Sequence, residues 1–91
     1  MKNRRSPLKK SIATRLARLQ GGVCFYCGDE PQAIRGRFPT MDHFFPHSRG
    51  GSDDESNLVF ACQSCDSRKG DRLPTGAEQI RFDDLKTGRR A

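Results

Sequence analysis

The chain has 91 residues, of which only 33% are hydrophobic and none is tryptophan. This length and composition exclude several domains and a large core, and they predict a fold that needs a disulfide, a metal or a partner for stability. No apolar run approaches the roughly 20 residues that span a membrane, and none follows the basic start as in a secretory signal, so we expect a cytoplasmic protein without a membrane partner.

The positive charge is concentrated at the N-terminus. Residues 1–20 contain seven basic residues and no acidic residue, whereas residues 21–91 contain ten basic and eleven acidic residues. Such a basic block commonly contacts nucleic-acid phosphates, because each neutralised phosphate releases counterions. A solvated segment that keeps the protein in solution has the same composition, so charge alone favours a nucleic-acid partner without establishing one.

An amphipathic helix is predicted at the N-terminus. Ser6 is a typical N-cap, Pro7 is a typical first helical residue, and Gly21-Gly22 ends the pattern. Apolar residues recur at spacings of four, four and three, which predicts one apolar stripe: Leu8, Ile12, Leu16 and Leu19. We expect four basic residues off this stripe either to face solvent or to lie along a nucleic-acid backbone: Lys9, Lys10, Arg15 and Arg18.

The rest of the chain predicts short elements joined by polar loops. β-compatible residues predict strands at 37–44 and 58–60, and a short helix is expected at 66–70. A capping-box spacing at residues 75–78 predicts a last short helix over 76–81. The acidic residues between the strands are expected to form a turn that faces solvent: Asp53, Asp54 and Glu55.

The predicted elements form a single domain with three segments. We expect a basic arm and helix at residues 1–20, a core at 21–73, and a short helix with a frayed tail at 74–91. The sequence contains no internal repeat that would indicate a second unit.

Two Cys-x-x-Cys pairs are separated by 34 residues. Each pair places two thiolates on one tight turn, and two such turns form a tetrahedral sulfur cage that selects zinc and leaves no open position for chemistry. Two disulfides, a redox-active pair and an iron–sulfur cluster are the alternatives; a reducing compartment disfavours the first and the matched pairs disfavour the second. We therefore predict a structural zinc ion, without which the chain would be largely unfolded, at Cys24, Cys27, Cys62 and Cys65.

The loop between the cysteine pairs contains residues suited to phosphodiester hydrolysis. Asp42 and His43 are adjacent, and His47, the other histidine of the chain, follows shortly. Histidine deprotonates water near neutral pH, a hard cation on carboxylates stabilises negative charge, and Arg or Lys holds a phosphate. These three requirements can be met by Asp42, His43, Asp66, Arg49, Arg68 and Lys69.

The order and spacing of these residues resemble the HNH nucleases in their four-cysteine form. The matching positions, all within residues 21–70, are Asp42-His43, Pro46, Ser48-Arg49-Gly50-Gly51, Asn57-Leu58 and Cys62-x-x-Cys65-Asp66-x-x-Lys69. The resemblance implies a small α+β fold of the ββα-metal type (His-Me finger, treble-clef-like) with a structural zinc. It also implies a DNA endonuclease that uses one Mg²⁺, Mn²⁺ or similar ion and leaves 5′-phosphate and 3′-hydroxyl ends.

The resemblance also implies roles for individual residues. His43 would be the general base, Asp42 would ligate the catalytic cation, and Asn57 would hold the loop so that the base is correctly aimed. Asp66 occupies a position that is usually His or Asn. As a hard oxygen ligand it would favour Mg²⁺ or Mn²⁺ over Ni²⁺ or Zn²⁺, whereas the alternative is that it only caps a helix.

Two other functions remain possible from the sequence. A zinc-stabilised module that binds nucleic acid without cutting it explains the cysteines and the charge, and a protein-interaction zinc domain explains the cysteines alone. The adjacent Asp42 and His43 favour the nuclease, because a binding module needs no such pair. A single site would nick DNA, so cleavage of both strands would need a homodimer or a partner protein.

Overall fold

The computed structural model describes residues 7–31 and 38–88, with side chains described from residue 11. The elements are α1 (Pro7–Leu19), β1 (Pro39–His43), β2 (Leu58–Cys62), α2 (Gln63–Lys69) and α3 (Gly76–Thr87), with short 3-10 turns at His47–Arg49 and Glu55–Asn57. The predicted small α+β fold with a ββα arrangement is therefore confirmed. None of the helices in this described part is long and apolar enough to cross a membrane.

The two strands form an antiparallel hairpin that places the site. Asp42 lies opposite Val59 and His43 lies opposite Leu58. The residues of β2 are buried except for the half-buried Phe60, because α1 and α2 pack on this strand, and its sequence is accordingly apolar. β2 reaches Cys62, two residues beyond the predicted strand, so the strand leads directly into the second cysteine pair.

Helix α1 packs on β2 and ends where the sequence predicts. It begins at Pro7, and Gly21 and Gly22 follow it with φ of 70° and 78°, a region that favours glycine. Leu16 is 1% exposed, but Leu19 is 47% exposed, so the apolar stripe is shorter than predicted. The side chain of Leu8 lies outside the described residues.

Gln20 joins the end of α1 to β2. Its side chain pairs with both backbone polar groups of Phe60: Nε2 donates to the carbonyl oxygen at 2.8 Å, and Oε1 accepts from the amide at 2.8 Å. The same Nε2 donates to the carbonyl of Val23 at 2.9 Å. The side chain thus satisfies backbone groups of a strand that β1 pairs on the other side.

The last two helices both differ from their predicted bounds. α2 begins at Gln63 rather than near residue 66, because β2 ends in Cys62 and that residue is already the N-cap. α3 has the predicted capping box but continues to Thr87 instead of ending at residue 81. Its second half is held by tertiary packing, since the ring of Phe82 stacks on Phe44 with centroids 3.9 Å apart. α1 and α3 thus pack against the same small core as the hairpin.

Candidate metal centre and active site

The four cysteines converge on one point between the start of α2 and the turn after α1. Their sulfur atoms all lie within 4.8 Å of one another, and the Sγ atoms of Cys27 and Cys62 are 3.9 Å apart. In a tetrahedral zinc–thiolate site with Zn–S bonds of roughly 2.3 Å, the sulfur atoms are about 3.8 Å apart. The four cysteines are therefore positioned to bind a metal ion, and the spacing fits zinc.

Hydrogen bonds around the sulfur atoms suit thiolate ligands. Sγ of Cys24 accepts from the backbone amides of Tyr26 at 3.3 Å and Cys27 at 3.5 Å. Burial by itself raises the pKa of Cys62, but hydrogen bonds from the Cys65 backbone and the Ser64 hydroxyl outweigh it and lower the pKa of Cys62 to about 6. Burial instead raises the pKa of Cys27 and Cys65, so a metal that binds the four sulfur atoms has to displace protons from these thiols.

Two carboxylates lie side by side where α2 packs on β1. Asp42, on β1, is 5% exposed, and Asp66, in the first turn of α2, is half-buried. Burial, followed by the hydrogen bond with Asp42 and its negative charge, raises the pKa of Asp66 to about 7. Asp66 lies in the first turn of α2, where a negative charge favours the helix, and it contacts Asp42 as well.

Asp42 has two further partners, and both contact its Oδ2 atom. The Tyr26 hydroxyl donates a hydrogen bond to this oxygen, and Nζ of Lys69 lies 3.4 Å from it. Burial, then the contact with Asp42, raises the pKa of Tyr26, so its hydroxyl stays protonated and donating.

The position of Lys69 corrects one prediction. We expected a phosphate contact, but Lys69 is 5% exposed, and its ammonium also donates to the backbone carbonyl of His43 at 3.1 Å. A buried ammonium held by a carboxylate and a carbonyl cannot reach a DNA backbone. Lys69 instead connects α2 to the end of β1 and supplies positive charge next to Asp42.

His43 ends β1 with its ring partly exposed. Its Nε2 lies 2.8 Å from Oδ1 of Asp53, and Nε2 of His47 lies 3.8 Å from the same oxygen. Asp53 lies in the solvent-facing turn that the sequence predicts, and its side chain is 78% exposed, but its contact with His43 is a feature that the sequence did not indicate. His43 directly follows Asp42 at the end of β1, and Asp66 contacts Asp42, so all three residues lie near the end of this strand.

Asn57 holds the loop between the strands from inside. Its Nδ2 donates to the carbonyls of Phe45 at 3.0 Å and Ser52 at 2.8 Å, and its Oδ1 accepts from the Phe45 amide at 3.0 Å. Gly51 lies against the same segment, and a Cβ atom there would overlap the carbonyl group of Phe45. The loop-holding role that we expected for Asn57 has this geometry and stays a prediction as regards catalysis.

A comparison with protein families identifies the group of proteins to which the chain belongs. The model of the HNH endonuclease family matches residues 24–72, which is more than half of the chain. The chain belongs to the HNH endonuclease family. A comparison with curated proteins gives no match.

The basic residues that were predicted to contact DNA differ in their hydrogen-bond partners and in their exposure in this HNH protein. Arg15 donates two hydrogen bonds to Glu55, from Nε at 3.0 Å and from Nη2 at 2.7 Å, so Glu55, which is partly exposed as predicted, also forms an ion pair. Arg49 donates from Nε to the Asp71 carbonyl at 2.8 Å, and both Arg18 and Arg68 are exposed. The side chains of two predicted contacts lie outside the described residues: Lys9 and Lys10.

Two residues of the HNH site were missed from the sequence. Tyr26 lies between two cysteines of one pair, a place where its aromatic ring predicts core packing and nothing about Asp42. Asp53 lies ten residues after His43, in an acidic run that suggests a solvated turn. Neither contact could be predicted before the pairing of the two strands was known, because that register decides which residues lie near the end of β1.

Proposed function

We propose that this protein is a metal-dependent endonuclease that hydrolyses DNA phosphodiester bonds, with a structural zinc ion on the four cysteines. The observation that carries the proposal is the pair of carboxylates, Asp42 and Asp66, beside His43. Burial of Asp66, and after it the hydrogen bond and the negative charge of Asp42, disfavours the ionised form of Asp66 and raises its pKa, so ionising both acids has a free-energy cost. A divalent cation between them would remove it.

The donor set fits a hard cation. We propose that Asp42 and Asp66 hold Mg²⁺ or Mn²⁺, since these ions take one or two carboxylates together with water and substrate phosphate. When bound, the ion supplies positive charge that stabilises the phosphate and the leaving oxygen. Tyr26 and Lys69 hold Oδ2 of Asp42, which supports the proposal because these contacts fix the orientation of the carboxylate that would ligate the ion.

His43 would act on the attacking water. The ring lies at the end of β1, and its Nε2 is within hydrogen-bonding distance of Oδ1 of Asp53. The nitrogen that accepts the proton of water would therefore be Nδ1. The oxygen of the water forms a bond to phosphorus, the bond from phosphorus to the 3′ oxygen breaks, and the 3′ oxygen takes a proton from solvent. The products carry a 5′-phosphate and a 3′-hydroxyl.

DNA binding would rest on exposed arginines and the basic N-terminus. Arg18, Arg49 and Arg68 are exposed and can contact phosphates, although Arg49 also donates to the Asp71 carbonyl and Arg68 to Sγ of Cys65. Arg15 would first have to leave Glu55. We propose that Lys9 and Lys10 add to this surface. A single site would nick one strand, so a double-strand break would require a second copy or a partner protein.

The test is cleavage of supercoiled plasmid with added Mg²⁺ or Mn²⁺. We expect wild type to nick the plasmid and His43→Ala to lose activity by a factor of about 100 or more, because general base catalysis contributes about 10²–10⁴-fold. His47→Ala is the matched control, since it removes the other histidine, and it should retain most activity. Folding and one equivalent of zinc are confirmed in all three proteins by circular dichroism and metal analysis.

The outcomes separate the alternatives. If the wild type binds the plasmid without cutting it in either metal, the protein is a zinc-stabilised binding module. If His43→Ala cuts as well as wild type while His47→Ala does not, the base is His47 and the assigned roles are wrong.

A further inference from the structure

An exposed carboxylate outside the set assigned above contacts the histidine of the site. Oδ1 of Asp53 lies 2.8 Å from Nε2 of His43, a hydrogen-bonding distance between side chains ten residues apart. We propose that Asp53 is a positioning residue for His43: it accepts a hydrogen bond from the Nε2–H group and thereby keeps Nδ1 unprotonated and ready to accept the proton of water. This inference rests on the proposed nuclease function and extends it to a residue in the loop.

The hydrogen-bonding chemistry of the pair selects one tautomer. An ionised carboxylate has no proton to give, so a neutral imidazole at this distance must donate from Nε2. In a neutral imidazole one nitrogen carries the proton and the other has the free electron pair, so donation from Nε2 leaves Nδ1 as the base. After Nδ1 takes a proton from water, the ring is cationic, and the neighbouring carboxylate stabilises that charge while its own oxygen stays unprotonated.

The loop that carries Asp53 is anchored next to the contact. Asn57 bonds the carbonyl of Ser52, the residue before Asp53, and it also bonds both backbone groups of Phe45, two residues after His43. One amide side chain thus joins the end of β1 to the loop. Gly51 allows this close approach, because any side chain there would meet the carbonyl of Phe45. The anchoring explains how an exposed Asp53 stays in reach of the ring.

The exposure of Asp53 makes the proposal testable without unfolding the protein. Its side chain is 78% exposed, and exposed ion pairs contribute little to stability. A substitution at Asp53 should therefore leave the fold intact and change the orientation and charge stabilisation of His43. His47 is the farther of the two rings from this oxygen, at 3.8 Å against 2.8 Å, so the main effect is expected at His43.

The kinetic test compares two neighbouring aspartates. Asp53→Asn and Asp54→Asn each remove one negative charge from the same loop. Asp54 takes part in the loop through its backbone carbonyl, which accepts a hydrogen bond from the backbone N–H of Asn57 at 2.8 Å. With a nicked-product assay in Mg²⁺, we expect Asp53→Asn to lower kcat about 10- to 100-fold at unchanged KM, because the loss acts on the reacting base and not on DNA binding. Asp54→Asn should stay within about twofold of wild type, and Asp53→Glu should recover part of the loss.

The kinetic outcomes are decisive in both directions. Equal kcat values for Asp53→Asn and Asp54→Asn overturn the proposal, since they indicate a shared effect of charge on the DNA backbone. A change confined to KM also overturns it. A loss in kcat at Asp53 alone, partly restored by Glu, supports it.

A second measurement needs no cleavage and separates failure of this inference from failure of the nuclease function. Imidazole nitrogen resonances of the full-length, zinc-loaded protein at about pH 8 distinguish the two neutral tautomers, and His47→Gln assigns the two rings. We expect His43 of wild type to be protonated at Nε2, and Asp53→Asn to shift it towards a mixture. An Nδ1-protonated ring in wild type, or a spectrum of His43 unchanged by Asp53→Asn, overturns the positioning role even if the protein cuts DNA.

Discussion

Replacing Tyr26 by phenylalanine tests whether Asp42 is held from the zinc side of the site. The change removes the hydroxyl that donates to Oδ2 of Asp42 and keeps the ring, including its edge contact with Phe25 at 5.1 Å. Asp42 is left with Lys69 as its remaining partner on that oxygen. Because the carboxylate is buried, water cannot replace the lost donor at full strength.

The size of the effect follows from the chemistry of the bond. A hydrogen bond to a charged group contributes about 1.5–3 kcal/mol, so we expect a loss of about 2 kcal/mol in the free energy of unfolding of the zinc-loaded, Mg²⁺-free protein. For a domain of this size that loss lowers the melting temperature by about 8–16 °C. Loss of such an orienting contact also weakens metal binding, typically by 10- to 100-fold.

Two assays check these values. Urea unfolding of the Mg²⁺-free protein gives the stability, and the Mg²⁺ concentration that gives half of the maximal cleavage rate reports the cation site. We expect that concentration to rise about tenfold or more in Tyr26→Phe, with one equivalent of zinc retained. Unchanged stability together with an unchanged Mg²⁺ dependence would show that the Tyr26 hydroxyl does not hold Asp42.

Three further predictions concern the pH response, the loop and the C-terminal helix. The pKa of Asp66 is raised from 3.8 to about 7, so the folded state binds more protons than the unfolded state between these pH values. The free energy of unfolding of the wild type should therefore fall, relative to that of Asp66→Asn, as the pH rises towards 7. Equal pH profiles of the two proteins in urea titrations would contradict this. Gly51→Ala should destabilise by about 1–3 kcal/mol and reduce cleavage, because a side chain meets the Phe45 carbonyl, and an unchanged melting curve would refute the clash. Phe82→Ala should cost about 2–3 kcal/mol in thermal unfolding, whereas Ile80→Ala, at a residue 64% exposed, should cost under about 0.5 kcal/mol; similar losses would mean that α3 does not complete the core.

The parts of the fold that the sequence predicts well depend on local spacing. Two Cys-x-x-Cys pairs, the two glycines after α1 and the capping box at Thr75 each act within a few residues, and the structure contains all of them at the predicted places. The family match has the same origin, because the order of Asp42, His43 and the second cysteine pair is readable without knowing the fold. Helix ends are less local, and α3 continues because Phe82 finds a partner 38 residues away.

Contacts between distant residues explain what the sequence could not predict. Arg15 and Glu55 are 40 residues apart, and both were expected to face solvent or DNA separately. A lysine such as Lys69 is a residue type that commonly contacts phosphates. In the structure it lies on the inner side of α2, and its ammonium group faces Asp42. The charge and spacing of residues in the sequence predict which functional groups the chain contains. The packing of α2 on the hairpin determines which of these groups contact one another.

The structure also suggests why the metal-binding cysteines and the proposed cation site occur in one small unit. Cys65 and Asp66 are consecutive in α2, so a metal ion that holds the sulfur atom of Cys65 also restrains the backbone that carries the carboxylate of Asp66. On the other side, Tyr26 lies between Cys24 and Cys27, and its hydroxyl contacts Asp42. A chain with so thin a core has little other means of holding two acids together against their repulsion. We therefore expect a metal on the cysteines to contribute to catalysis indirectly, by supplying the rigidity that keeps both carboxylates in place.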